Sequence, residues 1–153
     1  MKTARQLSIA ILAILCITAL YGSYHMITDP TGNSLGLPFY LLNGTLLNSY
    51  LIGGWILLFT VALLSAVVII SIKKKSRNYS FMIMLQGVVL CIFVIAQIVL
   101  LSQSFLIQYV YLFAGVLLIA LGVLQNQRKI VVETEKKYKP APKSHHHKHR
   151  KRR

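Results

Sequence analysis

His25 and Asp29 stand four residues apart, a spacing that puts two side chains on one face of a helix, and Asp29 is the only carboxylate before Glu133. An imidazole beside a carboxylate at a membrane boundary is the least equipment that moves a proton or holds a metal ion weakly. Two groups complete neither site. A settled metal centre takes three or four protein ligands, and acyl transfer or hydrolysis needs a nucleophile with a base. No such constellation can be assembled here, so catalytic residues, a metal site and a cofactor are not expected. The Asp-Pro-x-Gly order around Asp29 predicts a turn whose carboxylate caps backbone amides, with His25 as its interfacial neighbour.

Gln86 and Gln97 are 11 residues apart, about three helical turns, and share one side of a helix with Leu90 and Phe93. Such a stripe either lines a polar pathway or bonds to a neighbouring helix, and the second is the expectation. Cys16 and Cys91 lie in apolar runs with no paired spacing, which reads as small buried hydrophobes rather than a disulfide or zinc ligands. Near the end, His145, His146, His147 and His149 sit among cations. Those neighbours disfavour a physiological metal site.

These residues are set in 153 residues of which 56% are hydrophobic and only 13% charged, against about a quarter charged in soluble domains. The 17 Lys and Arg outnumber 3 Asp and Glu, for a net charge of +14, but they are not spread over a polar surface. Between Arg5 and Lys73 the sole charge is Asp29, and none occurs in the 50 residues between Arg77 and Arg128. A soluble nucleic-acid-binding domain is thereby excluded in favour of a small polytopic membrane protein.

A bilayer core of about 30 Å needs roughly 20 apolar residues of helix. Four segments qualify, at about residues 7–27, 50–72, 79–101 and 105–125, and none contains Asp, Glu, Lys or Arg. Ser102-Gln103-Ser104 is the only break between the last two, which predicts a tight hairpin with a polar tip. The expected fold is all-α: an antiparallel bundle of four transmembrane helices within residues 1–127. Ala62, Ser65 and Ala66 in the second span, and Gly115 and Gly122 in the fourth, offer faces for close packing. Trp55 and most tyrosines fall near span ends as interfacial anchors.

Lys and Arg stay on the cytoplasmic side. Lys2 and Arg5 precede the first span, Lys73, Lys74, Lys75 and Arg77 join the second to the third, and 11 more follow the fourth. All therefore fall on one face, predicting that both termini lie inside a bacterial cytoplasmic membrane. A cleaved signal peptide over residues 1–22 would leave three spans, but the apolar run is long and no A-x-A site is present. An uncleaved first helix is expected.

The first connection carries the most distinctive local sequence. Asp29, Pro30, Gly32, Gly36 and Pro38 are turn residues, the apolar stretch to Leu42 is too short to cross a bilayer, and Asn43-Gly44 makes a second turn. The pattern D-P-[ST]-G-x-x-L-G-x-P, followed by Tyr50-Leu51-Ile52-Gly53-Gly54, resembles a group of small four-helix bacterial membrane proteins of unknown function. Gln97, Gln108-x-x-Tyr111, Gly115 and Gly122 extend the resemblance weakly, to about residue 125. It departs at Gly53, where the group carries Pro. The resemblance implies the four-helix topology and supplies no activity.

Residues 128–153 hold 11 Lys and Arg against Glu133 and Glu135 and are expected to form a disordered basic cytoplasmic tail. Lys136, Lys137, Lys139, Lys143, Lys148, Arg150, Lys151, Arg152 and Arg153 would contact anionic lipid headgroups. RNA or a ribosome is the rival partner. The functional expectation is a non-enzymatic accessory or structural subunit whose partners are lipid and other membrane subunits or a second copy of itself. The alternative is an oligomeric small-solute or proton pathway lined by His25, Asp29, Gln86 and Gln97.

Overall fold

Hydrocarbon offers no water to an unpaired amide, so a chain this apolar must satisfy its backbone within helices. In the computed structural model, which describes residues 2–37, 49–101 and 105–138, four helices do so. They are α1 (Lys2–Thr28), α2 (Leu51–Lys73), α3 (Tyr79–Leu101) and α4 (Leu106–Tyr138). Each is long and apolar enough to cross a membrane, and the chain is a multi-pass membrane protein. The expected hairpin tip at Ser102–Ser104, the stretch around Pro38 and residues beyond 138 lie outside the described residues.

Local chemistry sets the helix ends. Thr28 at the end of α1 donates its hydroxyl to the Tyr24 carbonyl at 2.8 Å, and Pro30, which lacks an N–H, stops the helix. At the end of α2 the Ser76 amide reaches the Ser71 carbonyl at 3.0 Å and the Lys75 amide that of Ile72 at 3.2 Å. That is a Schellman closure, with Lys75 in the left-handed position at φ 52°. Glycine would adopt this conformation freely; the lysine there is, with Lys74 and Arg77, one of three cations between α2 and α3.

Helix pairs then form by close approach. Lipid tails are as apolar as leucine, so association depends on backbones coming near enough for dispersion to act. A Cβ on Gly87 would lie 2.6 Å from the Gly115 carbonyl oxygen, and one on Gly115 would lie 2.6 Å from Cys91 Sγ. Gly122 similarly abuts Met84 and the Ser80 carbonyl of α3. As numbers rise along α3 they fall along α4, so the two are antiparallel. The α1–α2 pair meets the same way, with Gly54 against Met26 and Ile27, and Gly22 against Leu57. Leu12, Val61, Ile72, Ile83, Leu90 and Leu118 are fully or almost fully buried between the pairs.

The expected close-packing residues Gly115 and Gly122 do pack, and Ala62 is buried at 1% exposure; Gly87, their counterpart, was not singled out by sequence. A second difference concerns the expected tail. Residues 128–138 are helical rather than disordered, because α4 runs unbroken to Tyr138. The segment has no Gly or Pro, and Glu133 lies four residues from both Lys129 and Lys137, a helix-supporting spacing. Lys129 also anchors it, with Nζ 3.7 Å above the Tyr79 ring and 2.9 Å from the Arg77 carbonyl.

Gly87→Ala should therefore destabilise the α3–α4 pair by about 1–3 kcal/mol, the usual cost of overpacking. Gly53→Ala, whose Cβ meets nothing within 4 Å, should leave stability unchanged or raised. Unfolding midpoints in mixed detergent distinguish the two.

Candidate functional site

Polar side chains form bonds at three places along the helices, an exposed turn at one end, a buried junction near the middle and a buried pair at the other end. At the first end, the Asp29 carboxylate accepts the Ser34 amide at 2.8 Å, the Thr31 amide at 3.2 Å and the Thr31 hydroxyl. These bonds, the Thr31 hydroxyl foremost, hold its carboxyl below the usual carboxylate range. The turn closes through Gly32 and Gly36, both at positive φ (81° and 64°). The Tyr50 amide then bonds to the Pro30 carbonyl at 3.1 Å, while the Tyr50 ring lies where a Gly32 side chain would stand. His25 does not join the carboxylate: its ring packs edge-on against Tyr21 and Tyr24, at centroid distances of 4.5 and 5.6 Å. Pro38, the last of the expected turn residues, lies outside the described residues.

Near the middle, α2 changes pitch. A single π-helical turn occupies Leu58–Leu63 between two α-helical stretches. The Thr60 hydroxyl donates back to the Ile56 carbonyl at 2.7 Å, a bond that competes with the regular ladder. Carbonyls of this wide turn take side-chain donors from neighbouring helices. Gln86 of α3, fully buried, donates Nε2 to the Thr60 carbonyl at 3.5 Å, and Cys16 of α1 donates Sγ to that of Ala62 at 3.4 Å. The wide turn therefore joins three helices. Gln86 Oε1 and Ser65 Oγ, also buried, have no partner among the described residues.

Gln97 is placed differently from Gln86. Between the middle and the Asp29 end the helices part around two adjoining cavities of about 500 and 540 Å³, both lined by Met26, Leu37, Phe93, Gln97 and Gln108. Gln108 Oε1 accepts the Phe105 amide at 2.9 Å, capping the start of α4. The chamber is mostly apolar, with two amides on its wall. It suits an uncharged, largely apolar guest better than an ion.

At the lysine-rich end, Gln125 of α4 donates Nε2 to the Ser8 hydroxyl of α1 at 3.0 Å, across 117 residues of sequence. The Ser8 hydroxyl in turn donates to the Ala4 carbonyl at 2.9 Å. Sequence reading passed over this pair and Thr60, and met Gln108 only within the resemblance, although each is a polar residue within or at the edge of an apolar span. That signal was available.

The four expected polar residues are thus not brought together: Asp29 and His25 belong to the first turn, Gln97 to the chamber and Gln86 to the helix junction. Both cysteines are free thiols, and no group of three or more His, Cys, Asp or Glu forms among the described residues. The basic contact residues from Lys139 to Arg153 lie outside the described residues, and Lys136 and Lys137 fall on the last turn of α4. No family model, no curated protein and no solved structure matches this chain.

If Asp29 serves the turn, Asp29→Ala should lower the thermal midpoint and the membrane level of the protein, and Asp29→Asn, which keeps one acceptor oxygen, should lower them less. Because the carboxyl is held below its ordinary value, its contribution is present above about pH 4 and is lost as pH falls through the lower folded value. The difference in midpoint between wild type and Asp29→Ala should stay flat from pH 5 to 8. A difference that changes across that window would speak for titration of the pair instead.

Proposed function

We propose that this protein is a non-catalytic accessory or structural subunit of a complex in a bacterial cytoplasmic membrane, with both termini inside. The observation that carries this reading is how the buried polar side chains are used. Gln86 and Gln125, and the Cys16 thiol, tie helices to one another, so the interior chemistry goes into holding four spans in one arrangement. The outward faces are correspondingly broad and apolar, with Phe59, Phe81, Ile92, Val99 and Phe113 between 57% and 72% exposed. The side on which the cations gather supports the orientation. The basic residues after α4 grip anionic lipid, each contributing on the order of 1 kcal/mol near the surface. Mass measurement of the intact protein in mild detergent, with identification of what co-purifies, tests the reading. A defined complex is expected; a lone monomer would overturn it.

The chamber near Gln97 favours a second reading, a small-solute or proton pathway through an oligomer. Gln97→Leu separates the two. As a subunit, the variant should assemble normally at unchanged stability, since this amide lies on the chamber wall and makes none of the bonds that tie the helices together. As a pathway, it should lose solute or proton flux in proteoliposomes.

Lipid contact by the tail makes its own prediction. In proteoliposomes, trypsin should cleave after residues 139–153 several-fold more slowly with anionic than with zwitterionic lipid, and about 1 M salt should erase the difference by screening. Lipid-independent cleavage, together with ribosome co-sedimentation lost on truncation after Tyr138, would replace lipid with RNA as the partner.

A further inference from the structure

Past Gln125 the described residues of α4 are exposed on almost every face, and one row of side chains running into that segment repeats at the spacing of a helix pair. Ala120, Leu124, Gln127, Val131, Thr134 and Tyr138 follow one another at alternating steps of four and three residues, and every one of them is exposed. That alternation keeps a stripe facing a second helix over successive turns. The stripe lies opposite the face of α4 that carries Gly115, Leu118, Gly122 and Gln125, which are buried against the other helices.

Its position across the membrane boundary restricts what can cover it. The 33 residues of α4 measure about 50 Å at 1.5 Å each, against about 30 Å of hydrocarbon. Arg128 and Lys129 mark where the helix leaves the apolar layer. Lipid therefore covers Ala120 and Leu124, whereas Val131 and Tyr138, 56% and 78% exposed, stand in water. No Gly or Pro occurs between Gly122 and Tyr138, so the segment cannot fold back onto the bilayer. A soluble partner would reach only the upper half of the stripe. An occupant of the whole length must itself be a helix crossing the same boundary in line with α4.

The chemistry of the stripe favours a copy of itself. In a parallel pair about a two-fold axis, like positions meet like. Ala120 lets the two backbones approach inside the hydrocarbon. Gln127 stands at the boundary with no partner among the described residues, and an amide carries both donor and acceptor, so it pairs with its own copy; a polar residue at such a position also fixes register. Thr134 needs no partner, because its hydroxyl already donates to the Ile130 carbonyl at 2.9 Å. We propose that α4 pairs with α4 of a second copy of this chain as a parallel coiled coil along Ala120–Tyr138, continuous from the membrane into water. This deepens the subunit reading by naming one partner, and it rests on that reading's placement of α4.

Disulfide trapping in native membranes tests it on the full chain, with Cys16 and Cys91 replaced by Ala. Gln127→Cys and Val131→Cys should yield cross-linked dimer several-fold more readily than Val132→Cys and Glu133→Cys, which lie off the stripe. In the otherwise native chain, Val131→Glu should abolish the dimer seen in mild detergent and Val131→Leu should keep it; Val131 is exposed, so folding is not at issue. Equal trapping on and off the stripe, or none at all, would overturn the proposal. A defined complex with a different protein and no trapping along the stripe would overturn self-pairing while leaving the subunit reading intact. A lone monomer would overturn both.

Discussion

Every feature of this molecule depends on one constraint: within hydrocarbon a polar group has only protein to bond to. The backbone meets it by forming four helices. The side chains meet it less completely, and their bonds choose the neighbours. Gln86 reaches the Thr60 carbonyl and Cys16 that of Ala62 because the π turn in α2 presents carbonyls less tightly held by the regular ladder. The defect in one helix thus becomes the junction of three.

The same solvent removes the usual reason for helices to cluster. What replaces it is proximity, most clearly where Gly87 and Gly115 let α3 and α4 touch backbone to backbone. The ends are held by different means. At one, Asp29 and the Gly32 and Gly36 conformations build a turn on which the Tyr50 ring rests. At the other, Lys129 lies over the Tyr79 ring and bonds to the Arg77 carbonyl, and Gln125 bonds to Ser8. The chamber around Gln97 and Gln108 lies between the tight middle and the Asp29 turn.

The protein has a well-joined interior and an outside with little polar character until the cations begin. The stripe on α4 is the exception, because it still carries Val131 and Tyr138, both exposed, after Arg128 and Lys129. A helix that continues so far past Arg128 makes sense when something beside it continues too.

Much of the fold was legible in the sequence, because hydropathy and charge act residue by residue. The four spans, the turn at Asp29 and the packing role of Gly115 and Gly122 all follow from such local properties. The end of α4 was misjudged for a related reason: charge content at residues 128–138 resembles that of a disordered tail, while the spacing of Glu133 between Lys129 and Lys137 supports a helix. Beyond these lie features that depend on how helices are rotated and slid against each other. That Gln86 is buried against a carbonyl while Gln97 lines a chamber, that Gly87 and not Gly53 stands where a Cβ would clash, and that Gln125 finds Ser8 across 117 residues were decided only by tertiary structure. Periodicity places a residue on a face; only the neighbouring helix determines what that face meets.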